Sequence, residues 1–448
     1  MALSVDGLVS GLDTAGLITQ LLDLERQPQV RLQNKRTSNQ KTIDAYQNLN
    51  TKLLAIETAA GGLKDPTGWA LLKATSSAPE KVAATASSGA TSGTLAFSVS
   101  NLAAAHSLVS STGVASLSTV VATGDFTIGS TTITAAQYGD GSLSSVVNAI
   151  NASAAGVSAA AVQVSAGSYK LQLTAKTTGT ASIFTADATN LAALGNFGGI
   201  VTQGVDASIQ VGSGPGAYTV TSSSNTITTL LSGVTLTLKD TGAATITIAS
   251  DGDGLADKVA SLVSAVNSAI TAIKSESNYD ATTKKAGIFL SDQLTRNLQQ
   301  ALTSAVTNPV SASTLSSGGF AGISLGKDGL LSFDKAKFTA AYTKDPAAVA
   351  SLFQANTAAT NDDGIAERLR LAAKTATTFG VGQIALAIEG RKNENKQLDS
   401  QISNWDNRLK MREKALKLQY GGLETMLGRL RNQGSWLAGQ LGALSPNQ

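Results

Sequence analysis

The chain of 448 residues contains no cysteine and a single histidine, His106. Without cysteine it can form no disulfide, no thiolate nucleophile and no cysteine-bound metal site. A serine-histidine-aspartate triad would have to use His106, which lies among alanines in "LAAAHSLVS", and no nucleophile-elbow motif marks a serine partner. We therefore expect that the chain is not an enzyme and that it binds no cofactor and no metal.

Long apolar runs and an excess of charge are also missing. No run of about 18 uncharged apolar residues occurs, so no membrane span is expected. The formal net charge of +3 is small for this length and argues against a nucleic-acid partner. The early charges are acidic (Asp6, Asp13 and Asp23), so the basic start of a cleavable leader is absent. These features predict a cytoplasmic protein, or one secreted without such a leader.

Short glycine motifs do not supply a ligand site. "GVGQ" at 380–383 lacks the third glycine and the preceding strand of a phosphate-binding loop. "DGDG" at 251–254 lacks the later ligands of a calcium loop, and a turn into a capped helix explains it better. "NDDG" at 361–364 has the same explanation.

Charge is scarce in the middle of the chain, where residues 76–254 carry only twelve of the 65 charged side chains. This zone alternates apolar residues with polar residues or threonine, between glycine-containing turns. Such alternation predicts antiparallel strands with one buried face. The predicted strands are 94–102, 168–176, 207–211, 217–222, 234–240 and 244–250, and one helix is predicted at 142–156.

The two flanks have helical periodicity. Apolar residues recur every three, four or seven positions in 42–63 and 254–275. The segment 10–28 reads as an amphipathic helix that Asp13 or Thr14 would cap and that Pro28 would separate from the next helix. Near the C-terminus, a large aliphatic residue occurs every seven positions at Ile402, Leu409, Leu416, Leu423, Leu430, Leu437 and Leu444. A sustained heptad repeat predicts a coiled coil or bundle that needs partner helices.

Together these patterns predict an α+β multidomain protein. Its stalk is helical, or a coiled coil, and is built from both termini, with antiparallel β-rich outer domains inserted between them. The expected parts are an N-terminal leg helix (1–42, disordered when free), a helical stalk (43–75 and 253–400), an inner β domain (76–113 and 201–252), an outer β domain (114–200) and a C-terminal heptad leg (401–448).

Four segments carry a resemblance to a known family. "SVDGLVSGLDTAGLITQLLDLERQP" at 4–28 is similar to the N-terminal motif of the bacterial flagellar filament cap family, also called hook-associated protein 2. The segment 90–110 is similar to that family's strand entering the outer domains, and 126–184 to an insertion motif shared with flagellins. "GISLGKDGLLSFDKAKFTAAYTKDPAAVASLF" at 322–353 resembles the cap family's "LSFD" region, with Asp345 where asparagine is common.

The resemblance implies a function without chemical catalysis. Cap proteins are exported unfolded through the flagellar type III channel, and they form a ring of about five or six subunits at the filament tip. Their partners are flagellin, copies of themselves and an export chaperone, and they promote folding and insertion of flagellin beneath the ring. We expect Leu17, Ile18, Leu21 and Leu22 to pack with Leu423, Leu427, Leu430, Leu437 and Leu441, within a leg or against flagellin. The expected self-assembly and flagellin-binding residues are Leu12, Asp13, Leu17, Ile18, Leu21, Leu22, Leu416, Leu423, Leu427, Leu430, Leu437 and Leu441.

Two other interpretations stay open. A hook–filament junction protein or a divergent flagellin would share the insertion motif. A surface adhesin would use the threonine-rich β domains to bind glycans, although no residue pattern marks a glycan pocket.

Overall fold

A computed structural model describes residues 11, 13–282, 284–311, 313–355 and 363–443. The chain divides into two compact units, one formed by Met1–Trp69 with Ala256–Gln448 and the other by Ala70–Leu255. We call the first the helical unit and the second the β unit.

The helices of the described residues fall mostly in the two flanks. They are α1 (Thr14–Glu25), α2 (Gln27–Lys64), α3 (Ala135–Tyr138), α4 (Leu143–Ala152), α5 (Gly252–Ser277), α6 (Gln293–Thr307), α7 (Lys335–Lys344), α8 (Pro346–Phe353), α9 (Ile365–Thr377) and α10 (Gln383–Ala443). Short 3₁₀ turns occur at Pro66–Trp69, Thr180–Ser182, Ala192–Leu194 and Gly318–Ala321.

The strands lie mostly in the middle of the chain, and every pairing is antiparallel. They are β1 (Leu72–Ser76), β2 (Val82–Ala86), β3 (Gly93–Asn101), β4 (Ser107–Val109), β5 (Phe126–Ile128), β6 (Thr131–Ile133), β7 (Val157–Ser165), β8 (Ser168–Ala175), β9 (Gly199–Thr202), β10 (Ala207–Val211), β11 (Tyr218–Ser222), β12 (Thr226–Ile227), β13 (Val234–Leu238), β14 (Gly242–Ser250), β15 (Tyr279–Asp280), β16 (Lys285–Ala286), β17 (Ile323–Leu325) and β18 (Leu331–Phe333).

The β unit has two apolar cores. In the first, a five-stranded sheet of order β1-β14-β3-β10-β11 and a three-stranded sheet of order β12-β13-β2 share one core. Alternate residues of each strand fill it, as Phe97 and Val99 do on β3. The alternation of threonine with apolar residues therefore has the expected cause, a sheet with one buried face.

The second core belongs to a sheet of order β7-β8-β4-β9, the hairpin β5-β6 and helix α4. Ser142 caps α4 by accepting a hydrogen bond from the Ser145 N–H. The end of α4 is tied to β7 because the Asn151 amide both donates to the Ala159 carbonyl (2.9 Å) and accepts from its N–H (2.8 Å). Asn151 thus acts as a short strand partner for the edge of β7.

The helical unit is held by an aromatic cluster and by long helix contacts. The Trp69 indole N–H donates to the Leu63 carbonyl at 2.8 Å, and its ring lies 5.4 Å from that of Phe353. Tyr46 on α2 donates its hydroxyl hydrogen to Asp292, which also caps α6 through the Leu294 N–H. The hydrogen bond between Tyr46 and Asp292 joins α2 to a segment 246 residues away in sequence.

The predicted fold class is confirmed, since antiparallel sheets occupy the middle of the chain and helices occupy both flanks. All six predicted strands are present within two residues of their expected bounds. The predicted helices at 142–156 and 254–275 correspond to α4 and α5. The predicted helix at 42–63 is part of the longer α2.

Several predicted domain boundaries differ from the boundaries of the helices and strands. The breaks expected at 42/43 and 400/401 fall inside α2 and α10, which continue through them as unbroken helices. The β region begins at Leu72 rather than 76. Strand β4 pairs with β8 and β9, so residues assigned to the inner β domain lie in the second core instead. Local periodicity shows strands and helices, but long-range pairing decides which core each strand joins.

Candidate functional site

Helix α1 is built as the N-terminal motif predicts. Asp13 caps it by accepting a hydrogen bond from the Gly16 N–H at 2.7 Å. The helix ends at Glu25, and α2 begins at Gln27 with Pro28 in its first turn, where proline needs no backbone partner. Leu12 lies outside the described residues.

Helix α1 packs on α10 through a small apolar cluster. Ile18 and Leu22 of α1 are buried there against Leu409 and Leu416, with Tyr420 packed alongside. Leu17 and Leu21 lie on the flank of α1 and are a little more than one-third exposed. Among the expected site residues, the structure therefore brings together Ile18, Leu22 and Leu416.

Within the chain, the buried apolar contacts of α1 fall on Leu409 and Leu416, which precede the predicted partners at 423–441. Pairing of α1 with those predicted partners stays a prediction. Polar ties, meaning hydrogen bonds and ion pairs, join α1 and α2 to α10 in an antiparallel register. The closer a residue of α1 or α2 lies to the N-terminus, the closer its partner on α10 lies to the C-terminus. These ties are Arg391 with Asn39 (2.9 Å), Lys35 with Glu394 (2.9 Å), Arg36 with Asp399 (2.6 Å), Gln29 with Asp406 (2.5 Å) and Arg412 with Glu25 (2.9 Å). With Glu25 paired to Arg412, this register places the twelve residues of α1 opposite about 412–423 of α10.

The part of α10 beyond Tyr420 carries an uncovered apolar strip. We call residues 421–443 the distal segment. Its predicted site residues Leu423, Leu427, Leu430, Leu437 and Leu441 are all exposed. Met426 and Trp436 are also about two-thirds exposed (63% and 64%) and were missed by the heptad pattern. A tryptophan on an otherwise polar and glycine-rich helix is the signal that could have identified that position.

The α2–α10 interface is polar where the distal segment is apolar. Gln29 and Asn39 are buried between the helices, and Asn395 is nearly so. Across this interface, the hydrogen bond from Lys35 lowers the pKa of Glu394. Polar partners of this kind favour one register, whereas an apolar strip accepts any complementary apolar surface. The arrangement can hold a leg in place and present its tip to a partner.

His106 and the glycine motif at 251–254 have structural roles. His106 is buried, its Nδ1 accepts a hydrogen bond from the Gly204 N–H at 3.3 Å, and its ring meets Phe184 edge-on. In "DGDG", Asp251 accepts from the Gly254 N–H at 2.9 Å at the start of α5. "GVGQ" forms the turn that leads into α10, while part of "NDDG" lies outside the described residues. Within the described ranges, no helix is both long enough and apolar enough to cross a membrane.

Two family models match the chain. The model described as "Flagellar hook-associated protein 2 C-terminus" matches residues 204–432, and the one described as "Flagellar hook-associated protein 2 N-terminus" matches residues 10–106. The first match alone covers half of the chain. The resemblance of the N-terminal motif to the flagellar cap family is confirmed by these matches.

Curated relatives and solved structures agree with the family models. The chain is 28% identical to flagellar hook-associated protein 2 of Escherichia coli K12 over 465 aligned residues, which cover 97% of both chains. It is 28% identical to the Salmonella typhimurium protein of the same name over 326 residues, 68% of each chain. The crystal structure of the D1-D2-D3 domains of the flagellar cap protein FliD from Escherichia coli matches with a TM-score of 0.56 and 28% identity, covering 78% of this chain and 99% of that one.

Proposed function

Because the chain belongs to the flagellar hook-associated protein 2 family, we propose that it caps the flagellar filament and promotes folding and insertion of flagellin beneath it. The observation that carries this proposal is the uncovered apolar strip of the distal segment, at the end of a leg whose other end is fixed by polar ties. The family assignment favours capping over a junction protein, a divergent flagellin or an adhesin.

The apolar strip of the distal segment is suited to burial against a binding partner. Leaving apolar surface in water costs roughly 25 cal/mol per Å². Seven large apolar side chains stand exposed between Leu423 and Leu441. Burial of these residues against apolar helices of flagellin at the open end of the filament would recover that free energy.

The distal segment also suits contacts that form and break. It contains glycine at 421, 422, 428, 434, 439 and 442, and glycine costs about 1 kcal/mol relative to alanine inside a helix. A heptad repeat places two apolar positions against the partner helix. At the second of these positions the distal segment has the polar residues Gln433 and Gln440. A weak, interrupted seam dissociates faster than a perfect zipper, as a cap requires when it moves for each added subunit.

The remaining features of the proposal come from the family. The protein acts outside the cell at the filament tip, as a homo-oligomeric ring of about five or six subunits. It leaves the cell by the flagellar export route with the help of an export chaperone. Its partners at the tip are flagellin and its own copies.

A deletion strain tests the proposed function. Removal of the gene should leave cells with hooks but without filaments, and flagellin monomers should appear in the growth medium. A plasmid copy of the intact gene should restore filaments and clear the medium of monomer. Full-length filaments in the deletion strain would overturn the proposal.

A further inference from the structure

Phe379 is an exposed aromatic residue on the helical unit. It lies in the turn between α9 and α10 and is 98% exposed, and its neighbour Val381 is 71% exposed. A phenylalanine in this state gains nothing from folding, because its whole apolar surface stays in water. Large exposed aromatic residues of this kind are enriched at the centres of protein interfaces.

The turn holds Phe379 outward. The N–H groups of Val381 and Gly382 both donate to the Thr378 carbonyl, at 3.3 and 2.7 Å. Gly380 has a φ of +78°, a left-handed conformation that favours glycine. A Cβ on Gly382 would lie only 2.6 Å from the Ala376 carbonyl oxygen, so the tight approach requires glycine. We call Phe379 and Val381 on this turn the knob.

A groove of about 650 Å³ lies elsewhere on the same unit, along one face of α5. Its apolar lining comes from Ala260, Val263, Ala272 and Phe333. The rest of the lining is polar and consists of Lys52 of α2 with Ser264, Asn267, Ser268, Thr271 and Ser275. The volume is several times that of one aromatic side chain. The groove can therefore receive the knob together with the backbone of its turn.

The knob and the groove face different sides of α2. Gln47 and Asn50 of α2 line a recess with Phe379, whereas Lys52 lines the groove. At about 100° per residue, Lys52 points about 140° from Gln47 and about 160° from Asn50. A knob on one side and a groove on the other cannot meet within one chain, but they meet head-to-tail between two copies.

Both surfaces carry little charge. Residues 375–388, which include the knob, contain no charged side chain, and neither do residues 259–273, which supply most of the groove. Lys52 is the charged residue in the lining of the groove. Interface centres are depleted in charged residues, so two surfaces of this composition suit the centre of a contact.

We propose that the Phe379 knob of one copy inserts into the α5 groove of the next copy, as a head-to-tail contact between helical units in the oligomer. This contact rests on the proposed function, because it gives the ring one of its repeating interfaces. A heterologous contact of this kind closes into a ring when its rotation is right.

The absence of native cysteine makes cross-linking a direct test. Val381→Cys and Ser268→Cys are made singly and together in the full chain, which is then treated with a short bismaleimide. Mixing the two single variants should give a cross-linked dimer and no larger product, and the double variant should give a ladder of higher oligomers. Neither single variant should cross-link alone.

A second measurement uses Phe379→Ser and the control Phe320→Ser, at another exposed phenylalanine (56%) of the same unit. Mass photometry should show that Phe379→Ser raises the concentration for half-dissociation at least about tenfold, while Phe320→Ser leaves it unchanged. Cross-linking of Val381→Cys with itself, or oligomers that form without the mixed cross-link, would overturn the contact alone. A wild-type chain that stays monomeric at every concentration would overturn both this contact and the oligomeric part of the proposed function.

Discussion

Gln29 donates its side-chain amide hydrogen to Asp406 at 2.5 Å from a buried position between α2 and α10. A buried polar partner is satisfied in one register, and a shift of the helices by one turn would leave it unpaired. The bond therefore fixes which heptad of α10 faces α1. It explains why the buried apolar contact of α1 forms at Leu409 and Leu416.

Leu416→Ala should release α1 from α10. Loss of a buried leucine side chain at this small interface should cost about 1–3 kcal/mol, which corresponds to a roughly fivefold to 150-fold larger population of the open contact. Hydrogen–deuterium exchange of residues 14–25 measures the change. Leu418→Ala is the matched control, because Leu418 is 70% exposed on the same helix. Equal exchange in the two variants would show that the cluster does not hold α1.

Tyr46 should make the helical unit sensitive to alkaline pH. Burial and then the hydrogen bond to Asp292 raise the pKa of its hydroxyl above the usual value of about 10. Because the folded-state pKa is raised, the stabilisation is complete below the unfolded pKa and is lost as pH rises above about 10. Tyr46→Phe should cost about 1–2 kcal/mol at pH 8 but lose less stability than the wild type between pH 8 and 11.

Urea unfolding at the two pH values tests this difference. Tyr279→Phe is the control, since Tyr279 is more than half exposed and should keep the wild-type pH dependence. The same pH dependence in wild type and Tyr46→Phe would remove Tyr46 as its source.

Asn151→Ala should weaken the β unit at the edge of β7. The substitution removes both hydrogen bonds to the Ala159 backbone, which should cost about 1–2 kcal/mol. For a unit of this size the thermal midpoint should fall by a few degrees. Differential scanning calorimetry measures the shift, with Gln163→Ala on the exposed part of the same strand as control. An unchanged thermal midpoint in Asn151→Ala would mean that the Asn151 amide does not stabilise the edge strand β7.

Local patterns in the sequence account for a large part of this fold. The alternation around Phe97 and Val99 marks a strand because a strand buries every second side chain. The cap at Asp13 follows from the preference of helix N-termini for a side-chain acceptor. Such signals need only neighbouring residues, so they can be read without knowing the tertiary structure.

Local patterns could not predict which distant segments of the chain pack against each other. The heptad repeat shows that α10 needs partners, but every heptad offers a similar leucine to α1. The choice of Leu416 depends on polar ties such as Gln29 with Asp406, which join residues 377 positions apart. The aromatic cluster around Trp69 likewise combines segments with no shared periodicity. Periodicity therefore predicted the apolar faces of the candidate site, while its register emerged only in three dimensions.

The proposed role of the distal segment is tested most directly by Leu430→Asp with Leu437→Asp, introduced into the deletion strain. Asn432→Asp with Ser435→Asp is the control, because it adds the same charge to the same helix on exposed polar positions. Electron microscopy of filament number and length is the measurement, with a thermal melt to confirm that the β unit stays folded. We predict no filaments for the leucine variant and normal filaments for the control; normal filaments in both would contradict the account.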